Sequence, residues 1–324
     1  MRKFLFFALS IVIITSCSNS DRDNSTNNSA EQKFILKSEN LKFYNGQDLP
    51  NEIQLPASTS NGTYITVTNG IKNYYYDILS FSWKKLENSF LMTSELQGAN
   101  IIMTDTHFII FNGLNTFNNY NEIWSSNPYD KNLHKPSYSN FLPSHKDASI
   151  TYNYSFPNEV YMSGGKMSTG IFDNGLYKIR IENGMLRSSS KIANLPDVKE
   201  AHIELIDNKI YVIGGDKGIS ENRIDMYDLD TKIWKFLGRI PYPISDYTTC
   251  KSKNKIWIIG NGIINKPQLS YYNFTTNEFV TISNNLAFRK QPNAEIIDDR
   301  LFIFGGKTFD DKPLQSLEVA NIIK

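Results

Sequence analysis

The chain has 324 residues, 40% hydrophobic, 13% aromatic and 21% charged, a profile that excludes an intrinsically disordered chain and permits a large buried core. A formal net charge of +1 leaves no basic footprint for nucleic acid. The two cysteines, Cys17 and Cys250, exclude a disulfide scaffold or a cysteine-rich zinc site.

Arg2 and Lys3 precede an apolar run from Phe4 to Ile14, broken only by Ser10. A bilayer-spanning helix needs about 20 apolar residues, so this shorter run reads as a signal-peptide core over residues 1–16. Ile14-Thr15-Ser16-Cys17 resembles a bacterial lipobox, which implies acylation of Cys17 and makes it the first mature residue. Each buried acyl methylene adds about 0.8 kcal/mol, so two or three chains hold a protein at a membrane. Removing the signal leaves 32 basic against 33 acidic side chains. Residues 18–32, SNSDRDNSTNNSAEQ, hold no large apolar side chain, so residues 17–32 read as acylated cysteine and flexible tether. Ser18 is compatible with outer-membrane sorting by the rule known for enteric lipoproteins. The expected address is therefore the bacterial cell envelope, lipid-anchored at the outer membrane on its periplasmic or surface side.

Residues 33–324 form the expected folded domain, and internal repetition organises it. Six similar runs end at positions 70, 113, 165, 215, 261 and 306, of which Asn208-Lys-Ile-Tyr-Val-Ile-Gly-Gly215 and Asp299-Arg-Leu-Phe-Ile-Phe-Gly-Gly306 are the clearest. Each run reads as a buried strand entering a turn with positive φ, the property expected also of Asn69, Asn112 and Asn261 where glycine pairs are incomplete. Tyr76 to Trp83, Tyr227 to Trp234 and Tyr272 to Phe279 repeat one seven-residue interval around a short polar turn, which predicts hairpins with aromatic ends sealing neighbouring sheets. Leu49-Pro50, Leu142-Pro143, Leu195-Pro196 and Ile240-Pro241 mark exits between units.

Strand, Gly-Gly, strand, Tyr-Asp turn and Trp strand together resemble the Kelch pattern of galactose oxidase and Kelch proteins, from about Leu41 to the end. The resemblance implies an all-β, six-bladed propeller of four-stranded antiparallel sheets. The last unit stops at its third strand, near Leu317, so Leu41–Tyr44 is expected to supply the outer strand and close the ring.

In such a propeller the innermost strands begin at a central mouth. Counting 15 to 19 residues back from each anchor selects Glu95, Lys146, Lys199, Asp246 and Arg289, with Gln54 at the sixth place. His145, Glu200, His202, Tyr247 and Lys290 lie beside them. We expect Glu95, Lys146, Lys199, Asp246, Tyr247 and Arg289 to bind a polar ligand, a glycan or a protein partner, at this mouth.

Catalytic alternatives find less support. The copper chemistry of galactose oxidase needs two histidines, tyrosines and a cysteine cross-linked to a tyrosine, whereas the mature domain offers Cys250, which reads as a small core residue. No Ser-x-Asp-x-Gly-x-Thr-Trp box of the sialidases is present. Gly165-Lys166 lacks the flanking residues of a phosphate-binding loop, and Asp228-Leu-Asp230 reads as turn chemistry rather than a calcium site. N-acetylneuraminate epimerases are six-bladed Kelch propellers, so a sugar epimerase or mutarotase using Glu200, His202, Asp246 and Arg289 stands as the alternative. The expectation is a non-catalytic envelope lipoprotein without cofactor or metal, binding through its propeller.

Overall fold

Side-chain caps at hairpin turns set the folding pattern. Asp77 Oδ1 accepts from the N–H of Leu79 (2.9 Å) and Ser80 (3.3 Å). Asp228 does the same for Asp230 and Thr231, and Asn273 for Thr275 and Thr276. Each turn then closes on a left-handed residue at the same repeat position: Phe81 (φ 53°), Lys232 (φ 59°) and Asn277 (φ 57°). This is the expected Tyr-Asp turn, and short Asp and Asn side chains form it because they imitate a backbone acceptor.

The computed structural model describes residues 35–51, 53, 56–86, 98–104, 107–111, 124–126, 133–134, 145–153, 156–167, 170–197, 200–216 and 219–322. Strands β1 (Ile35–Leu41) and β2 (Tyr44–Asn45) come first. The first sheet holds β3 (Ala57–Ser60), β4 (Tyr64–Thr68), β5 (Asn73–Asp77) and β6 (Ser82–Lys85). The second holds β7 (Asn100–Met103), β8 (Phe108–Phe111), β9 (Trp124–Ser126) and β10 (Leu133–His134). After β11 (His145–Lys146), the third sheet takes β12 (Ser149–Asn153), β13 (Phe156–Ser163), β15 (Gly175–Glu182) and β16 (Met185–Asn194), while β14 (Lys166–Met167) pairs with β11. The fourth comprises β17 (Glu200–Ile206), β18 (Lys209–Asp216), β19 (Ser220–Asp228) and β20 (Ile233–Arg239). The fifth comprises β21 (Thr248–Ser252), β22 (Lys255–Ile259), β23 (Leu269–Asn273) and β24 (Glu278–Asn284), with β1 at its outer edge. The last has β25 (Asn293–Ile297), β26 (Arg300–Phe304) and β27 (Leu317–Asn321), with β2 beside β27.

Within these sheets consecutive strands pair antiparallel, the exception being β1, which runs parallel to β24 from Ile35 opposite Glu278 to Leu41 opposite Asn284. This fifth strand departs from the expected four per sheet. The N-terminal strand also falls later than expected: Tyr44 pairs with Val319 and Asn45 with Glu318, while Leu41 belongs to β1. Phe43, between them, is buried and held by Asn285, whose side chain accepts from Phe43 N (2.7 Å) and donates to Phe43 O (3.1 Å).

Apolar clusters fill the spaces between successive sheets. Tyr227 and Trp234 pack with tilted rings at 4.9 Å between centroids and join Tyr161 and Leu176 of the third sheet. Phe279 packs against Ile213 and Tyr242 beside the fourth, and Tyr76 and Trp83 meet Phe302 and Phe304 of the last. The paired aromatics therefore seal the sheets as the seven-residue interval predicts. The result is an all-β propeller of antiparallel sheets.

The anchors correct one expectation. Gly214, Gly215, Gly305 and Gly306 have positive φ, but at 69 and 261 the left-handed residue is the neighbouring glycine, Gly70 (φ 93°) or Gly260 (φ 83°). Asn69 and Asn261 act through their side chains, accepting from the N–H of Lys72 (2.8 Å) and Ile263 (3.0 Å) respectively. Asn112 lies outside the described residues. Gly306 is required twice over, because its φ is 82° and a Cβ there would stand 2.5 Å from Lys290 O.

Candidate functional site: the propeller mouth and inner channel

The innermost strands β3, β7, β12, β17, β21 and β25 line one central cavity of about 190 Å³. They lie against one another in sequence order, with Asn100 Nδ2 donating to Ala148 O (2.6 Å) where the second sheet meets the third. Above it, where these strands begin, a mouth of about 320 Å³ is bordered by Asp147, Glu200, His202, Asp246, Gln291 and Lys307, among others. Asp147 (φ 57°), Asp246 (φ 49°) and Gln291 (φ 47°) enter their strands through the left-handed region. Backbone bonds join successive entries, Asp147 N to Gly98 O (3.2 Å) and Gln291 N to Asp246 O (2.6 Å). Gly262 makes room for one of these carboxylates, since a Cβ there would meet Asp246 Oδ2 at 2.3 Å.

Of the expected ligand-binding and catalytic residues, Glu200, His202, Asp246 and Tyr247 come together at the mouth. Tyr247 is buried: its hydroxyl donates to Ile213 O (2.5 Å), accepts from His202 N (3.3 Å), and its ring lies 4.8 Å from that of His202. It fastens one inner strand to the next. Desolvation holds the His202 imidazole at a pKa of about 4, so it is neutral at physiological pH.

Arg289 is not at the mouth. It is fully buried, donating to Gly305 O (3.0 Å), Ser316 O (3.3 Å) and Ser316 Oγ (3.0 Å), and it pairs with the Glu318 carboxylate of β27. A guanidinium loses its water only where carbonyls and a carboxylate replace it, and this set takes up both terminal nitrogens, while Nε is buried without a hydrogen-bond partner among the described residues. The carboxylate clamp that an epimerase reading asks of Arg289 is thereby removed. Lys290 stays near the surface beside Asp311 (3.1 Å). The backbone of Lys146 pairs with that of Lys166. Glu95, Lys199, Gln54 and Cys17 lie outside the described residues.

The channel interior holds groups that the count from the anchors passed over. Glu295 accepts from Ser58 Oγ and Ser60 Oγ, both at 2.9 Å, and burial, reinforced by the charge of Glu204, raises its pKa to about 7 against those hydrogen bonds. Glu204 accepts from Thr249 Oγ1 (2.8 Å), and burial raises it too, opposed by the charge of Lys251. Burial, with both glutamates nearby, pushes the Cys250 thiol well up, so it is neutral and not the activated sulfur of a catalyst. The signal was available: Glu204, Cys250 and Glu295 each stand 11 residues before an anchor, not 15 to 19. Among the described residues no three metal-ligating side chains converge.

Radial antiparallel sheets around a channel with a polar mouth define the class, an all-β propeller. Residues 200–239 match the Kelch motif, and that segment is one whole sheet, β17 to β20. The Kelch repeat and BTB domain-containing protein 2 of Ectromelia virus is 36% identical over 107 residues, 32% of this chain and 18% of the relative. The protein of that name from Cowpox virus (strain GRI-90 / Grishak) is 34% identical over 107 residues, with the same shares, and that from Horsepox virus 31% over 107, 32% and 19%. The chain thus matches less than a fifth of the length of these curated relatives. Motif, relatives and sheet arrangement together support a Kelch β-propeller.

Proposed function

We propose that this chain is a lipid-anchored protein of the bacterial envelope whose Kelch propeller, six-bladed and closed by β2 on β27, docks a protein or glycan at its mouth without chemistry of its own. The observation that carries the docking reading is the mouth itself, an open polar concavity bordered by Asp147, Glu200, Asp246 and Lys307, while the one expected arginine is consumed by Glu318. Kelch propellers commonly serve as protein-binding scaffolds, which favours a macromolecular partner. The lipobox at Cys17 and the polar run to Gln32 support the anchor. Ile35, the first described residue, donates its N–H to Asn277 O in a turn at the strand ends remote from the mouth.

A photo-reactive side chain at Lys307, in cells, should yield a discrete adduct that is lost when Glu200 and Asp246 are both changed to Lys; the same probe at Asp230, at the remote end, should yield none. Equal labelling from both positions, or conversion of a sugar by the purified chain, would overturn the docking reading. Labelled fatty acid should enter the wild type but not Cys17→Ala, and absence of label from the wild type would remove the anchor.

A further inference from the structure

Below the mouth, the inner chamber has the chemistry of a cation site. Glu204 on β17 and Glu295 on β25 occupy one level of the inner ring: they pair with Tyr211 and Phe302, each four residues before its anchor. Cys250, paired with Trp257, stands between them at that level. Both residues are more than nine-tenths buried, with 8% exposure each. Among the described residues their hydrogen-bond donors are hydroxyls alone, Thr249 for Glu204 and Ser58 and Ser60 for Glu295, and neither enters an ion pair. The neighbouring cation, Lys251, directs its ammonium to backbone carbonyls, Leu205 O (2.7 Å) and Tyr152 O (3.0 Å). The remaining titratable groups on the wall bring no compensating charge, because Cys250 and His202 are held neutral by burial and Tyr152, also buried, shares a hydrogen bond with Thr59.

The charge of Lys251 acts on Glu204 and offsets one carboxylate at most, so two carboxyls in so little solvent remain charged together only if a further cation joins them. The walls of chamber and mouth share Ala99, Asn100, His202, Thr248 and Asn293, so a small solute at the mouth has direct access. The chamber volume of about 190 Å³ accommodates an ammonium group on a short alkyl chain. An ammonium carries three donors and no acceptor, which suits the carboxylates, hydroxyls and carbonyls that share this wall with Lys251. Among the described residues no three metal-ligating side chains converge, so that wall is less suited to a transition metal.

We propose that this chamber binds a small primary ammonium ion, which enters through the mouth and donates to Glu204 and Glu295. The site stands whether or not the mouth docks a larger partner. Calorimetric titration of the full chain at about pH 8 with ethylammonium and putrescine should show saturable binding, while ethanol and tetramethylammonium, which lack the charge or the N–H donors, should show none. The Glu204→Gln, Glu295→Gln double variant preserves size and hydrogen bonding, and its fold is checked by circular dichroism. It should lose at least about tenfold in affinity for both amines. Unchanged affinity in that variant, ethanol binding as well as ethylammonium, or no binding of either amine to the folded wild type would each overturn the assignment.

Discussion

Replacing Glu295 by Gln should stabilise the propeller at alkaline pH and matter little in acid. The carboxyl has a pKa of about 7 in the fold against 4.5 for an ordinary glutamate, so the folded state holds a proton that the unfolded chain releases between those values. Stability therefore falls as pH rises through about 4.5 to 7, and the full cost is present above that window. A separation of about 2.5 pK units corresponds to roughly 3 kcal/mol above pH 8 and under about 1 kcal/mol at pH 5. Glutamine keeps an acceptor and gains a donor for Ser58 and Ser60, so the substitution removes the charge without stranding either hydroxyl.

The wild-type profile alone is a poor test, because His202 runs the other way. Its pKa of about 4 in the fold lies below 6.5, so its contribution is present above about 6.5 and is lost as pH falls toward 4. The two slopes oppose each other between pH 4.5 and 6.5. The informative quantity is the difference between Glu295→Gln and wild type in urea unfolding, which should grow by about 2 kcal/mol from pH 5 to pH 8. A difference independent of pH, or a variant less stable than wild type at pH 8, would refute the placement of this carboxyl in a desolvated channel.

Three further outcomes follow from the same geometry. Glu318→Ala leaves the Arg289 guanidinium buried without its carboxylate and should cost about 3–5 kcal/mol in urea unfolding, and a loss below about 1 kcal/mol would mean that water reaches the site. Gly306→Ala forces a Cβ against Lys290 O at a left-handed position and should lower stability by more than about 1 kcal/mol, whereas Gly62→Ala, with the same sign of φ but open space, should cost only the backbone term; equal losses would show that the contact is irrelevant. Nuclear magnetic resonance of His202 should find a neutral ring at pH 5, and titration near 6.5 would place it in solvent.

The repeat architecture was legible because its turn chemistry is local. An Asp or Asn that caps its own turn two residues on, and a glycine that takes positive φ without the strain a side chain brings, carry the same meaning wherever they stand. Strand β1 was not legible, because ILKSENL alternates weakly and presents Ile35 and Leu36 to solvent. Its parallel pairing is dictated by the free outer edge of β24, a property of another part of the chain. The same holds for the segment after β1, where Asn285 fixes Phe43 across 242 positions and leaves only Tyr44–Asn45 to pair with β27.

The mouth was legible as a level but not as a set of directions. Counting from an anchor finds residues at the entry of an inner strand, yet a side chain there turns outward or inward according to what the neighbouring strands offer. Glu318 on β27, with Gly305 O and Ser316, draws Arg289 into the last sheet, and Ile213 O draws the Tyr247 hydroxyl away from the mouth. Asp246 stays at the rim because Gly262 leaves its carboxylate space. The inner glutamates show the converse. Nothing local marks Glu204 or Glu295 as special, since a single acid within an apolar strand is an anomaly that acquires sense only when two such strands face one channel. A shorter count from the same anchors, 11 residues in place of 15 to 19, brings both to one level with Cys250. Repetition thus carries positional information about the channel that no single repeat contains, and the buried acids are where that information becomes chemical.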